Sequence, residues 1–226
     1  ALPICDFLKS IGLIHKVSCD HFKTFVSDVA REGARMRTET TDRKSKVLIK
    51  HLFCRENLIQ ECLLEDIRGI KFVTPKTVDP GLRNICRQFG ENGDRVQQSY
   101  ISFKGSVLEK HEKLVWTTAA LLPKWANPRN YHYQIPSSGW RSTSDYCNAI
   151  LAHLQVVVEP TIDLVTFHCQ NVCFQQEKEN EREDLSCNHI STRVSVMVQV
   201  YRFLQAKALS NSVTNERLRD IPCVLV

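Results

Sequence analysis

Glycine and proline are both scarce in this chain, with 8 of each among 226 residues, against usual shares of about 7% and about 5%. An all-β sandwich needs turn residues at short, regular intervals, so that architecture is disfavoured and a helix-rich fold is expected. No G-x-G occurs anywhere, and neither a G-x-x-x-x-G-K phosphate loop nor a G-x-S-x-G nucleophile elbow is present. Dinucleotide binding, P-loop chemistry and serine-hydrolase chemistry lose their usual signatures. The chain also lacks a run of about 18 apolar residues to span a bilayer, and its start shows no basic, apolar, small-residue leader pattern. It begins at Ala1 without a methionine and ends at Val226 inside an apolar run, so it reads as a piece of something longer.

Cysteine is plentiful, at ten residues. At 26.0 kDa the chain buries a sizeable core without a disulfide framework or structural metal. The cysteines are scattered, often where a helix would bury them, as at Cys62, Cys147 and Cys169, and a reduced cysteine in a core acts as a small hydrophobe. A reducing, cytoplasmic setting is the expectation.

The chain states one pattern twice, about 143 residues apart. Leu8 aligns with Leu151, Ile11 with Leu154, Phe22 with Val165, Val26 with Cys169 and Val29 with Val172. A second echo pairs Leu64 to Val73 with Leu218 to Val226. Repetition of helix, helix and buried run indicates a modular scaffold. The competing explanation is that any two amphipathic helices followed by an apolar strand align this well.

Local signals outline the elements. Ile4, Phe7, Leu8, Ile11 and Leu13 predict a short helix stopped at Gly12. Ser18 and Asp20 offer caps for a second helix carrying Phe22, Phe25, Val26 and Val29 to about Arg31. Residues 32–45, unperiodic and of mixed charge, read as a loop. Val47 to Leu63 carries an amphipathic stripe, interrupted near Arg55 to Asn57. Ile67 to Val73 reads as a buried strand, Leu82 to Phe89 as a helix ending at Gly90, residues 91–94 as a turn, and Tyr100 to Phe103 as another strand. Lys113 to Leu122 fits a strand or a buried helix equally. Residues 124–139, rich in aromatics and proline, form a connector. Beyond it a helix restarts at Tyr146, capped from residues 142–145, and a further helix opens with Pro160 at its first position. Residues 175–184 read as a solvated loop, a long helix runs from about Thr192, and Thr214 caps a last helix before a terminal strand.

The strongest apparent metal constellation is His168, Cys169, Cys173, Cys187 and His189. Its spacing suits zinc poorly, because Cys169 and Cys173 fall one helical turn apart and the repeat gives Cys169 a core position. Paired carboxylates occur only in charged runs such as Glu177 to Asp184, where water removes the reason for a tuned pKa. No catalytic residue, cofactor site or metal site is assigned, and the chain is expected not to be an enzyme. Trp116, Trp125, Trp140, Tyr131 and Tyr133 read as plugs of a seam rather than as an open peptide-binding face.

The formal charge of +5 is modest and unevenly placed, with Arg31, Arg35, Arg37, Arg43, Lys44 and Lys46 falling in one stretch. It is the candidate partner-binding surface, toward an acidic partner. Glu32, Glu39 and Asp42 dilute it and no aromatic interleaves it, which favours the competing reading of a solvated connector between two helices and argues against a nucleic-acid groove.

Ser99-Tyr100-Ile101-Ser102-Phe103-Lys104-Gly105-Ser106, followed by Leu114-Val115-Trp116-Thr117 and Leu121-Leu122-Pro123-Lys124-Trp125-Ala126, resembles the segment after the ATP-binding module in the large internal repeats of the sacsin family. Leu154 to Val158, Glu159-Pro160, Asp163-Leu164-Val165, His168 to Cys173 and Leu218 to Val226 extend the resemblance over most of the chain. It implies a segment of a giant cytosolic co-chaperone whose repeats open with an ATPase module related to the ninety-kilodalton heat-shock chaperone. It further implies J-domain coupling to the seventy-kilodalton chaperone, handling of intermediate filaments, mitochondrial organisation and a link to spastic ataxia, a neurodegenerative disease. The ATP-site glycine motifs of that family have no counterpart here, so ATP binding transfers to no position.

The fold expected is α+β, helix-dominated, with two related helix, helix, strand subdomains at 1–126 and 142–226 joined by a connector at 127–141. The function expected is a non-catalytic scaffold or interaction segment that meets chaperone machinery, client proteins and intermediate-filament proteins. The alternative is a middle-type domain that completes or regulates a neighbouring ATPase module.

Overall fold

The computed structural model describes residues 17–54, 58–85, 99–131, 142–180 and 187–208. Helix-dominated α+β is the architecture observed, with very short strands. Helix α1 (Cys19–Arg35) starts where the sequence predicts, the Ser18 hydroxyl accepting the His21 amide at 3.2 Å. It buries Phe22, Val26 and Val29, spaced four and three residues apart as one helical face requires. It runs past Arg31 and ends where Met36 turns extended.

The loop expected at 32–45 is therefore mostly helix. Only residues 36–38 separate α1 from α2 (Glu39–Cys54). Thr38 and Thr41 cap α2 reciprocally: Thr38 Oγ1 accepts the Thr41 amide at 3.2 Å and Thr41 Oγ1 accepts the Thr38 amide at 2.9 Å. This is the logic of a capping box with two threonines. Helix α2 escapes a periodicity reading because its first two turns bury polar groups, Thr41 and Ser45, before Ile49, Leu52 and Phe53.

Two expected strands contract to a single bridge. Ile67 closes helix α3 (Glu61–Ile67), and Val73 alone pairs with Ile101, antiparallel, through hydrogen bonds of 3.0 and 2.9 Å. The apolar run 67–73 is buried by packing rather than by a ladder. Helix α4 (Pro80–Asn84) is capped by Asp79, whose Oδ1 accepts the Gly81 amide at 2.8 Å. The ambiguous stretch 113–122 holds both elements, the end of helix α5 (Glu112–Val115) and strand β2 (Leu121–Leu122).

Strand β1 (Val107–Leu108) pairs in parallel with β2, Val107 opposite Leu121 and Leu108 opposite Leu122, and Val107 also bridges Val157. Side chains alternate across a strand, and here the alternation divides the core. Leu108, Leu122 and Val156 face a cluster built on α1, α2 and α3. Val107, Leu121 and Val157 face a second cluster containing Val115, Val165, Cys169, Val172, Val196, Met197 and Val200. The tiny sheet is a partition wall with a helix pair on either side.

Helix α6 (Thr143–His153), capped by Ser142, the first of the four candidate caps at 142–145, packs Ile150 and Leu151 into the first cluster, whereas Val78, Leu82 and Ile85 join the second. Packing thus crosses the 127–141 connector in both directions. Helix α7 (Ile162–Asn180) is capped by Thr161, whose hydroxyl accepts the Leu164 amide at 3.3 Å, so Pro160 precedes the cap instead of occupying the first helical position. It continues through 175–180, expected as loop. Helix α8 (Cys187–Ala208) begins ahead of Thr192. Cys147 and Cys169 are buried as expected, while Cys62 is exposed.

The first half of the 143-residue repeat pattern lands on α1 and the second on α7. Phe22, Val26 and Val29 are buried in one cluster, and Val165, Cys169 and Val172 in the other. The helix expected at 4–13, the turn at 91–94, the helix beyond residue 85 and everything after 208, with the second half of the second echo, lie outside the described residues.

Candidate interaction surface

The α1–α2 hairpin carries all six basic residues singled out above, and it uses them unequally. Arg31 pairs with Asp28 on its own helix, Lys44 reaches Glu32 across the hairpin at 2.7 Å, and the Lys46 ammonium lies 5.7 Å from the centre of the Trp125 ring. Arg37 is held most firmly. Its Nε and Nη2 donate to the two oxygens of Asp42 at 2.9 and 3.0 Å, and its guanidinium sits 5.9 Å from the Tyr100 ring centre. Arg35 and Arg43 are exposed and make no ion pair with a described residue.

Arg37 and Asp42 form a clasp that fixes the groove beneath the hairpin. Asp42 Oδ1 also accepts the Thr74 hydroxyl at 3.2 Å, and the Thr74 amide donates to Ser45 Oγ at 3.3 Å. Burial opposes ionisation of Asp42, but Arg37 and the Tyr100 and Thr74 hydroxyls outweigh it and hold the carboxyl below its usual range. Burial pushes the Tyr100 phenol up to about 12. A groove of about 910 Å³ follows, lined among others by Ala34, Arg35, Met36, Lys71 and Tyr100. Met36 is 69% exposed. The groove therefore offers two cations, Arg35 and Lys71, around an accessible thioether.

Lys71 and Met36 were not legible as site residues. Lys71 lies inside an apolar run that reads as strand, and Met36 in a stretch that reads as loop; nothing local in either segment marks a groove wall.

The other sequence candidates have structural duties. His168, buried, accepts from or donates to Thr117 Oγ1 at 2.7 Å through Nδ1 and meets the Lys113 carbonyl at 3.1 Å through Nε2. A carbonyl only accepts, so Nε2 carries the proton and Nδ1 accepts the Thr117 hydroxyl. Asn171 Nδ2 donates to that same hydroxyl at 3.2 Å. Burial lowers the His168 pKa to about 4. Among the described residues no group of three or more histidine, cysteine or acidic side chains is placed to hold a metal. Trp116 packs edge-on to His168 in the second cluster, while Trp125 and Tyr131 pack on the first, with Tyr131 Oη donating to the Trp125 carbonyl at 2.7 Å. These aromatics are core plugs of two different cores; Trp140 and Tyr133 lie outside the described residues.

No protein-family model matches the chain. Sacsin from Homo sapiens is 24% identical over 211 residues, covering 89% of this chain. The chain is thus similar to a segment of sacsin over most of its own length. It spans about 4% of the length of the sacsin chain it matches. No solved structure matches the chain. Among its described residues no helix is long and apolar enough to cross a membrane.

Proposed function

We propose that this sacsin-like segment is a non-catalytic scaffold and interaction module of a giant cytoplasmic co-chaperone. Its two helix pairs, fastened across the small parallel sheet, space and orient neighbouring ATPase and J modules. Its contact surface is the α1–α2 hairpin, where Arg43 and Arg35, the latter sharing the groove with Lys71, meet an acidic face of a client, a chaperone or an intermediate-filament protein. The observation that carries this reading is the unequal use of the basic residues. Arg31, Arg37, Lys44 and Lys46 are engaged within the fold, and Arg35 and Arg43 are left facing solvent.

A pull-down from cytosolic lysate tests it, with the purified chain compared against the Arg35→Glu/Arg43→Glu double variant and recovery read by mass spectrometry. Chaperones or filament proteins recovered by the wild type and lost from the double variant support the reading; equal recovery by both refutes the assigned surface. The ATPase rate of an adjoining module, measured with and without this segment, separates the scaffold from a middle-type domain. A scaffold leaves that rate unchanged.

A further inference from the structure

The N-terminal ends of α1 and α3 lie side by side, and each presents a cysteine in its first turn. Cys19 Sγ donates to Gln60 Oε1 at 3.4 Å, and Cys62 Sγ donates to the same oxygen at 3.9 Å. Both sulfurs thus surround one acceptor, no farther apart than those two distances laid end to end. One helical turn further on, Lys23 of α1 is paired with Asp66 of α3 at 2.6 Å. Cys19 to Lys23 and Cys62 to Asp66 are both i, i+4 steps, which stack along one helix face. The two cysteines therefore occupy the rung next to an existing ion-pair rung, between helices that run in the same direction.

We propose that Cys19 and Cys62 are a redox modification site, closing an intrachain disulfide between α1 and α3 when the oxidant is hydrogen peroxide. Cys62 is exposed and Cys19 half-buried, which assigns the order of events. The Cys62 thiolate attacks one peroxide oxygen, the O–O bond breaks, and water leaves with the thiol proton, giving a sulfenic acid. The Cys19 sulfur then attacks the Cys62 sulfur, the S–O bond breaks, and the departing hydroxide takes the Cys19 proton as a second water. Two thiols and one peroxide yield one disulfide and two waters. Burial and the neighbouring Cys62 hold the Cys19 thiol above its ordinary range, in keeping with its role as the resolving rather than the first-oxidised partner. Gln60 is exposed and can swing clear without disturbing the core.

The bond would staple the base of the hairpin that carries Arg35 and Arg43 to α3. Of the other described cysteines, Cys147 and Cys169 are buried and Cys173 is half-buried, while Cys54 is exposed at the end of α2.

The test treats the purified chain with hydrogen peroxide at equimolar and tenfold levels, alkylates remaining thiols, and maps peptides without reduction. A Cys19–Cys62 linked peptide that appears in the wild type, reverts with dithiothreitol and is absent from Cys62→Ser and Cys19→Ser is the expected result. In Cys19→Ser, Cys62 is expected to accumulate as sulfenic and sulfinic acid instead. Oxidation of Cys62 to sulfinic acid in the wild type without the linked peptide would overturn the proposal, as would preferential linkage of either cysteine to a different partner. Circular dichroism of both serine variants checks the fold, since neither cysteine is among the buried core residues.

Discussion

One edge of the Tyr100 ring packs against the bare backbone of Gly33. A Cβ built on Gly33 would overlap the ring edge and come within 3.2 Å of its Cζ, and Tyr100 is only 4% exposed. The absence of a side chain in the last turns of α1 is therefore what admits the tyrosine that closes the groove floor beside Arg37.

Gly33→Ala should destabilise the chain. Alanine gains about 1 kcal/mol of helix propensity over glycine, but forcing a methyl into a packed ring costs about 1–3 kcal/mol, and here the ring is pinned by Arg37 and the Asp42 side. A net loss of about 1 kcal/mol is expected in urea unfolding, accompanied by a shift of Tyr100 fluorescence or chemical shift. A gain in stability would show that Tyr100 moves without penalty.

Arg37 and Arg35 should separate cleanly. Arg37→Glu places a like charge against Asp42 in a half-buried clasp and should cost about 2 kcal/mol. Arg35→Glu, exposed and unpaired among the described residues, should change stability by less than about 0.5 kcal/mol. Thermal unfolding of both single variants checks this, and equal losses would mean that Arg35 is structural as well. Charge reversal at Arg35, Arg37 and Arg43 together would confound the two effects.

His168 gives the chain an acid-side stability slope. Its pKa is about 4 in the fold against an ordinary 6.5, so between those values the unfolded chain binds a proton that the folded chain does not. Stability is then full above pH 6.5 and declines as pH falls toward 4, by about 3 kcal/mol over the window. His168→Gln should flatten that window in urea titrations at pH 7, 6, 5 and 4.5, while costing stability at pH 7 by disturbing the Thr117 and Lys113 contacts. An unchanged slope would remove His168 as its source.

Gln155 occupies a left-handed conformation, φ 54°, at the end of α6. The Gln155 amide donates to Ala152 at 2.9 Å and the Val156 amide to Leu151 at 3.0 Å, a Schellman arrangement that ordinarily employs glycine. Gln155→Gly should therefore stabilise the chain by about 0.5–1 kcal/mol, because its carbonyl contact to the Gly105 amide at 2.9 Å is a backbone one and survives. Thermal unfolding checks the sign.

What was legible in the sequence follows from how each segment is buried. Helix α1 and the start of α6 could be read because Ser18 and Ser142 are ordinary caps and Phe22, Val26 and Val29 keep helical spacing. The first turns of α2 could not, because Thr41 and Ser45 are buried polar residues whose partners, Thr38 and Thr74, come from the cap and from a distant segment. Residues 67–73 misled in the opposite sense: their apolar run is covered by neighbouring helices, and only Val73 makes a strand-type bridge, to Ile101. For the surface, charge density located the hairpin, but pairing decided which charges remain, and pairing depends on Asp42, Glu32 and Trp125 being brought near by the fold. The groove residues Lys71 and Met36 needed the tertiary structure for the same reason.

The central claim is that the hairpin contributes binding through charges the fold does not need. Co-sedimentation of the purified chain with preassembled intermediate filaments, comparing wild type with Arg35→Glu/Arg43→Glu at matched thermal stability and at two salt concentrations, tests it most directly. The account predicts wild-type binding that weakens with salt and at least a tenfold loss in the double variant; equal binding by both proteins, or no binding by either, would contradict it.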